Sequence, residues 1–269
     1  MAITALSSAA TGLRALSTRI DVIANNLANA ETTGFKASRV NFEDLMYSTL
    51  KQPGATNASG DIAPGGIYVG LGTKISNTQL DLSQGSMDNT NRNLDVAISG
   101  QGFFKIQLAQ SIGGGVGYTR NGNFTVNNLG SLVLNIGDGY NVIPKITIPK
   151  GTSDISIATD GTVYVSQGIN NQKTSVGQLK LSQFVNPQGL NLLGGGIYTE
   201  TTSSGVGTDN KPSEGGTGTI LQGFLEGSNV DPVKELVTLI KTQRAFELNS
   251  QSIQTADQAL QTIGNLRRG

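Results

Sequence analysis

Few residues of this 269-residue chain could carry catalysis or bind a metal. The sequence contains no Cys, His or Trp, which excludes disulfides, thiolate and histidine metal sites, and every catalytic triad that depends on histidine. Asp81, Asp88 and Asp95 recur every seven residues, but the surrounding sequence predicts strands and turns, so this spacing does not place them on one face. We interpret them as solvated carboxylates and not as a general acid and base.

Two glycine-rich stretches and one acidic pair are equally poor candidates for a ligand site. A phosphate-binding loop needs a helix directly after its glycines, and no helical pattern follows residues 113–117 or the Gly100 and Gly102 pair in SGQGFF. Asp209-Asn210 could contact a calcium ion, but no further ligands follow at a suitable spacing. The net charge is zero and the isoelectric point about 6.3, so no surface for nucleic acid is expected. The sequence therefore predicts no cofactor, no metal, no nucleic-acid partner and no enzymatic activity.

The elements that position the remaining residues begin with a long helical pattern at each end of the chain. In the first, one seam position carries Ile3, Ala10, Ser17 and Ala24, and the other carries Leu6, Leu13, Ile20 and Leu27. In the second, Leu239, Phe246, Ile253 and Leu260 recur every seven residues, with Thr242, Asn249, Ala256 and Ile263 between them. Such spacing favours two helices that pair as a coiled coil. Asp231 as N-cap and Pro232 as first helical residue predict where the second helix begins.

The surface of the first helix is unusual for a helix that faces water. Residues 4–30 carry only three charged side chains, Arg14, Arg19 and Asp21, among Ser, Thr, Ala and Asn. Small residues allow close approach, and hydroxyls and amides can hydrogen-bond across an interface. We therefore infer a helix surrounded by copies of itself, with a lightly charged surface helix as the alternative.

The same interpretation explains the composition of the stretch ANNLANAETTGFKAS at residues 24–38. Asn25, Asn26 and Asn29 are poor helix formers when judged alone, and we expect their amides to pair with neighbouring subunits. Gly34 is expected to stop the helix, and Phe35 to anchor the chain where it turns away.

The sequence between the helices predicts strands and loops. Strand-like runs alternate with glycine-rich signals, and three pairs, Asn121-Gly122, Asp138-Gly139 and Asp160-Gly161, are typical of type I′ hairpin turns. We expect an α+β fold in three parts. Residues 1–34 with 228–269 form the coiled coil of terminal helices, residues 35–79 an extended, hairpin-like connecting segment, and residues 80–227 a β-rich outer domain.

No stretch of the sequence is long and apolar enough to predict a membrane span, and the first residues do not resemble a cleaved signal peptide. If the protein leaves the cytoplasm, we expect export by a dedicated apparatus.

Four blocks of sequence resemble one family, the axial proteins of the bacterial flagellum that form its rod and hook. NNLANAETTGFKAS at residues 25–38 is similar to the end of that family's amino-terminal helix, and GFLEGSNVDPVKELVTLIKTQRAFELNSQ at residues 223–251 to its carboxy-terminal helix. LDVAISGQGFFKI at residues 94–106 and YTRNGNFTVNNLGSLV at residues 118–133 resemble blocks of its β domain. The blocks cover nearly the whole chain in the right order, and the similarity is weakest near residues 107–117 and 203–218.

This resemblance implies a structural subunit that stacks helically into a drive shaft and transmits torque from the motor to the hook. Residues 47–74, with KQPGA at 51–55, resemble the segment typical of the distal rod type, which would brace neighbouring subunits. The implied partners are further copies of the chain, proximal rod proteins, the hook protein or hook–rod junction, the P- and L-ring proteins and the type III export apparatus. The implied location is the flagellar basal body, from the periplasm to the outer membrane.

The residues expected to act in assembly fall into two sets. The assembly interface comprises Leu6, Leu13, Ile20, Asn25, Asn26, Leu27, Asn29, Phe35, Leu239, Phe246, Ile253 and Leu260. The bracing segment comprises Tyr47, Lys51, Gln52, Pro53, Gly54 and Lys74.

Three alternatives stay open at this point. The chain could be a hook or another rod subunit of the same family. A secreted carbohydrate-binding β protein would explain the Gly- and Asn-rich middle but would need surface aromatics, which total only 5% of residues. A hydrolase would need two carboxylates in one cleft, and the sequence does not display such a pair.

Overall fold

The computed structural model describes residues 2–54, 64–137, 139–167 and 172–266. They form an α+β fold with a long helix at each end of the chain and β-structure between the helices. The chain folds as two compact units. The first unit contains the described residues of Met1–Ala28, Ser38–Gln79 and Asp231–Gly269, and the second those of Asn29–Ala37 and Leu80–Val230.

This division differs from the predicted one at the connecting segment. Residues 38–79 belong with the helices, because β1 packs against α1, whereas residues 29–37 belong with the β-rich part of the chain.

The two helices are α1, Ala2–Ala28, and α2, Pro232–Leu266, and they contact each other within the first unit. The predicted start of α2 is confirmed. The Asp231 carboxylate accepts hydrogen bonds from the backbone N–H groups of Val233 and Lys234 at 3.0 and 3.2 Å, as an N-cap does. None of the described helices is apolar over a length that could cross a membrane.

The remaining elements of the first unit are four strands that we call the ribbon: β1 Ser38–Asp44, β2 Tyr47–Lys51, β3 Ile67–Gly70 and β4 Thr73–Leu80. β1 pairs with β4, and β2 pairs antiparallel with β3. Side-chain contacts between Arg39 and Gln79, and between Glu43 and Lys74, run in opposite order along β1 and β4. The ribbon is therefore one long hairpin, whose residues 55–63 lie outside the described part of the chain.

The described residues of the second unit form fifteen strands. They are β5 Met87–Asn89, β6 Val96–Ser99, β7 Phe103–Gln107, β8 Val116–Thr119, β9 Phe124–Val126, β10 Leu132–Leu134, β11 Thr152–Ile157, β12 Thr162–Gln167, β13 Gln172–Gln178, β14 Leu181–Gln183, β15 Asn191–Gly194, β16 Ile197–Thr199, β17 Thr208–Asn210, β18 Thr219–Gln222 and β19 Phe224–Glu226. The largest sheet has the order β15-β16-β8-β7-β14-β17, and β11-β12-β13 form a second. Side chains from both sheets and from smaller strand pairs fill one core around Ile98, Phe104, Phe124, Leu181 and Ile220, all fully buried.

The predicted hairpin turns have mixed outcomes. Asp160-Gly161 does connect the paired strands β11 and β12, but only Gly161 has a positive φ, 81°, so the turn is not type I′. The prediction for Asn121-Gly122 is wrong, because this pair does not connect paired strands. The Gly122 carbonyl instead accepts a hydrogen bond from the Val96 N–H at 3.0 Å, and a Cβ at Gly122 would overlap the Val96 carbonyl. Asp138 of the third pair lies outside the described residues.

Candidate assembly surfaces

The predicted seam of α2 lies toward the inside of the first unit. Leu239, Phe246, Ile253 and Leu260 are partly buried, and Thr242 between them is buried. Most of the remaining positions of this helix are exposed. The helices approach closely here, since a Cβ at Gly12 of α1 would lie 3.2 Å from the Asn249 amide nitrogen.

The seam of α1 was predicted only in part. Its large residues, Leu6, Leu13, Ile20 and Leu27, are partly buried, but Ala10, Ser17 and Ala24 are exposed. The buried residues of α1 are instead Ala15, Ile23 and Asn26. The physical reason is that α1 has two neighbours, α2 and the ribbon, so its buried surface is wider than one heptad seam.

The ribbon runs back along α1 and is held there by polar contacts. The Arg19 guanidinium lies 5.9 Å from the centre of the Phe42 ring. Further along, the Thr73 N–H donates to the Thr11 hydroxyl at 3.2 Å, and the Ser8 hydroxyl donates to the Gly70 carbonyl at 3.2 Å. One side of the helix that we expected to be surrounded by other copies is thus covered by the chain's own ribbon.

Asn26 fixes the point where the ribbon begins. Its amide nitrogen donates to the Ser38 carbonyl at 2.8 Å, and its amide oxygen accepts from the Ser38 N–H at 2.9 Å. The side chain is 2% exposed, so both hydrogen bonds are made away from water. The expectation that Asn26 pairs with a neighbouring subunit is therefore wrong, since its hydrogen bonds lie within the chain. Asn25 is exposed and Asn29 half-buried, and the Asn29 amide oxygen accepts from the Thr32 hydroxyl at 3.1 Å.

Gly34 and Phe35 also act within the chain, in the second unit. α1 ends at Ala28, so Gly34 is not the residue that stops it. Gly34 has a φ of 70°, and a Cβ there would lie 2.9 Å from the Asn121 backbone nitrogen, so only glycine fits without strain. The Gly34 N–H donates to the Glu226 carbonyl at 2.7 Å, and the Phe35 carbonyl accepts from the Asn229 N–H at 3.4 Å.

Lys36, in the middle of the TTGFKAS sequence, is completely buried in an ion cluster. Its ammonium lies 2.6 Å from Oε1 of Glu226 and donates to the Ser83 carbonyl at 2.7 Å. Burial lowers the pKa of Lys36, and the Glu226 carboxylate opposes this effect by favouring the charged form. Arg120 contacts the other oxygen of Glu226 at 3.0 Å and donates to the carbonyls of Gly100 and Gly102.

Asn229 completes the set that we call the clasp, defined as Gly34, Lys36, Arg120, Glu226 and Asn229. The Asn229 amide oxygen accepts from the Ala37 N–H at 2.7 Å, and its amide nitrogen donates to the Asp81 carbonyl at 2.8 Å. The clasp joins residues 33–37 to residues 226–229, two segments of the second unit that are far apart along the chain. Sequence reasoning missed Lys36, Arg120, Glu226 and Asn229, because their pairing spans up to 190 residues and leaves no local pattern.

α2 also carries an apolar surface that the seam does not use. Val233, Leu236, Val237, Ile240 and Leu248 are between 45 and 71% exposed. At about 100° per residue, they centre roughly half a turn of the helix from the seam that faces α1. We call this surface the outer stripe. The sequence contained its signal, a second set of aliphatic residues spaced by three and four, which the seven-residue repeat of the seam obscured.

The far part of the ribbon is uncovered as well. Every residue of β2 is exposed, as are Met46 and, on β3, Ile67 and Tyr68. Of the predicted bracing residues, Tyr47, Lys51, Gln52, Pro53 and Gly54 are exposed, and Lys74 on β4 is exposed and paired with Glu43 at 2.7 Å. Large apolar side chains in water on a two-stranded ribbon indicate a surface that another protein covers.

Terminal helices with an uncovered apolar stripe, together with an uncovered apolar ribbon, define the class of this protein as a subunit of an assembly. Within the described residues, no group of three or more acidic side chains is placed to hold a metal ion.

Comparison with known proteins identifies the assembly. Three family models match: "Flagella basal body rod protein" over residues 6–36, "Flagellar hook protein FlgE/F/G D1 domain" over 97–165, and "Flagellar basal body rod FlgEFG protein C-terminal" over 221–266. Similar relatives are the flagellar basal-body rod proteins FlgG of Buchnera aphidicola subsp. Schizaphis graminum, 45% identical over 95% of this chain and 96% of the relative, and of Caulobacter vibrioides, 43% identical over 98% and 99%. FlgG of Borreliella burgdorferi is 42% identical over 98% of each chain.

The chain belongs to the FlgG family of flagellar basal-body rod proteins. It is a structural subunit of the distal rod type, its place is the flagellar basal body, and its relatives point to a structural and not an enzymatic role.

Proposed function

We propose that the chain polymerises helically through its terminal helices into the rigid distal part of the rod, which transmits torque from the motor to the hook. In this polymer α1 and α2 pair as a coiled coil and line the inner tube, and the β-rich unit faces outward. The observation that carries the proposal is the outer stripe of α2, since it is an apolar surface that the folded chain leaves in water.

The outer stripe is large enough to drive assembly. A fully buried aliphatic side chain contributes about 1.5 to 3 kcal/mol, so covering five side chains that are about half exposed would contribute roughly 4 to 8 kcal/mol per subunit. Each subunit in a helical polymer has several neighbours, so the free energies of several modest contacts add up. Leu6, Leu13, Ile20, Leu27, Leu239, Phe246, Ile253 and Leu260 then hold the helix pair together, and the outer stripe faces the next pair.

The ribbon is the second contact in this proposal. Its exposed Tyr47, Leu50, Ile67 and Tyr68 would lie against a neighbouring subunit, and Lys51, Gln52, Pro53 and Gly54 continue the same surface toward the tip. A two-stranded ribbon with no neighbour is marginally stable in water, so contact with a second subunit would stiffen both. This supports the bracing role of the segment.

The remaining partners follow from the place of a distal rod. We propose contacts with proximal rod proteins at one end and with the hook protein or hook–rod junction at the other. The P- and L-ring proteins surround the β-rich unit as the rod passes from the periplasm to the outer membrane. The chain reaches this place through the type III export apparatus.

The test is a charge placed in the outer stripe. Ile240→Asp should abolish rod assembly, because a lone carboxylate in a dry contact has no partner, while the second unit keeps its circular dichroism signal and unfolding midpoint. Gln243→Asp is the matched control, since Gln243 is exposed on the same helix but outside the stripe. Rods counted by electron microscopy of isolated basal bodies give the result. Equal numbers of rods for Ile240→Asp and Gln243→Asp would contradict the proposal.

A further inference from the structure

The six-stranded sheet of the second unit has two open edges, β15 and β17. All four residues of β15, Asn191–Gly194, are exposed, with Leu192 at 55% and Leu193 at 44%. Soluble proteins usually protect an edge strand with a charged side chain or a proline. β15 has neither, and residues 188–199 around it carry no charge.

The β17 edge carries a second exposed apolar pair. β14 and β17 are antiparallel with Gln183 opposite Thr208, and continuing this register places Val185 opposite Val206. These two side chains are 96% and 79% exposed, among the most exposed aliphatic residues of the described chain. Residues 203–208 carry no charge, and the one charged residue of β17, Asp209, is paired with Lys105 at 2.7 Å. A single sheet therefore presents a leucine pair at one edge and a valine pair at the other.

Two different patches at opposite edges suit a contact between unlike surfaces of identical chains. Such a contact leaves a free patch of each kind on every pair of copies, so it continues into a filament and does not close into a dimer. A patch that paired with itself would instead give a closed two-fold dimer. Such a dimer does not extend into a polar filament, in which all subunits point the same way.

We propose that the β15 edge of one copy, at Leu192 and Leu193, packs against the β17 edge of the next copy, at Val185 and Val206. The inference rests on the proposed function, since it requires that the chain assemble with itself.

The size of the contact favours a second copy within the polymer over a separate partner. A four-residue strand is only about 13 Å long, so the area buried along it falls well below the roughly 1,200 Å² of a stable two-protein interface. The contact cannot hold a free dimer or an independent protein. It forms where the terminal helices already hold the copies side by side.

The chain contains no Cys, which allows a direct test by cross-linking. The variant Leu193→Cys/Val206→Cys, expressed as the only rod subunit of its type, should give a ladder of covalent oligomers when isolated basal bodies are mildly oxidised. Each single variant should give none. The matched control Leu129→Cys/Val206→Cys should also give none, because Leu129 is 73% exposed but lies between β9 and β10, outside the six-stranded sheet.

Each outcome decides the question. Normal rods without a ladder would overturn the inference and leave the proposed function standing, and dimers from Leu193→Cys alone would overturn it in favour of self-pairing of β15. Failure of the unaltered chain to form rods would instead count against the proposed function.

A second variant pair covers a failure of the cysteine variant to assemble. Leu193→Lys should lower the number of rods per cell roughly tenfold or more, because an unpaired charge at a dry contact has no partner, and adding Val206→Glu should restore rods by supplying one. Leu129→Lys serves as the control. Rods at the unaltered level with Leu193→Lys would overturn the inference.

Discussion

Replacing Glu226 by Gln tests whether the clasp holds the second unit together. The Glu226 carboxylate is fully buried, and its Oε1 accepts hydrogen bonds from the Lys36 ammonium at 2.6 Å, from Nη2 of Arg120 at 3.3 Å and from the Gly85 N–H at 3.1 Å. Its Oε2 forms an ion pair with Nε of Arg120 at 3.0 Å. Gln keeps the shape of the side chain but removes its charge. Lys36 and Arg120 then remain buried as two cations without an anion.

The expected loss of unfolding free energy is large. Removing one partner of a buried ion pair costs about 3 to 5 kcal/mol, because the remaining charge has lost both water and its counter-ion. Lys36→Met should cost less, about 1 to 3 kcal/mol, since Glu226 keeps Arg120 and the Gly85 N–H. The double variant Lys36→Met/Glu226→Gln should cost less than the sum of the two by about 1 to 3 kcal/mol, because both act on one cluster.

Urea unfolding of the full chain, followed through the β signal in circular dichroism, measures these losses. Lys105→Met is the matched control: its ammonium also pairs with a carboxylate, Asp209, at 2.7 Å, but the two side chains are 20% and 31% exposed. A partly solvated pair of this kind is worth about 1 kcal/mol or less. If Glu226→Gln destabilises the second unit no more than Lys105→Met does, the clasp is not a stabilising element.

Two further predictions concern the connections to the ribbon and the second unit. Asn26→Ala removes the side chain that pairs with the Ser38 N–H and C=O, so it should destabilise the first unit by about 1 to 3 kcal/mol. The measurement is the melting midpoint of the helical circular dichroism signal in isolated rods. Asn25→Ala, at an exposed position, should lower this midpoint less. Gly34→Ala should destabilise the second unit by more than Gly205→Ala in the same urea experiment. Both glycines have φ near 70°, but only Gly34 has a backbone within 3 Å of the new Cβ, so equal losses would contradict the role of close approach.

The elements best predicted from the sequence were those with a local signal. The start of α2 followed from Pro232 as first helical residue and from Asp231, which accepts hydrogen bonds from backbone groups two and three residues on. The partial burial of Leu239, Phe246, Ile253 and Leu260 agrees with their seven-residue repeat. The seam of α1 followed less well. A repeat shows that a face is buried but not what buries it, and α1, which packs against both α2 and β1, also buries Ala15 and Ile23 outside the predicted seam.

The clasp could not be predicted because its members are far apart along the chain. A lone lysine among Thr, Gly, Phe and Ala gives no sign that it is buried. Only the fold brings Lys36 to Glu226 and Arg120, where their charged side chains form buried ion pairs. Local reasoning assigned Gly34 and Phe35 to the end of a helix that in fact stops at Ala28.

The structure assigns the ANNLANAETTGFKAS sequence a role within the chain, where a joint between subunits had been expected. Asn26 binds the start of the ribbon, and Gly34 and Lys36 bind the second unit, so these residues act before any neighbour arrives. A joint between subunits would affect assembly and leave the free chain unchanged. A clasp within the chain affects the free chain first, and any defect in assembly follows from it. The order of these two effects in Lys36→Met therefore separates the two interpretations, and a free chain of unchanged stability that fails to assemble would favour the joint.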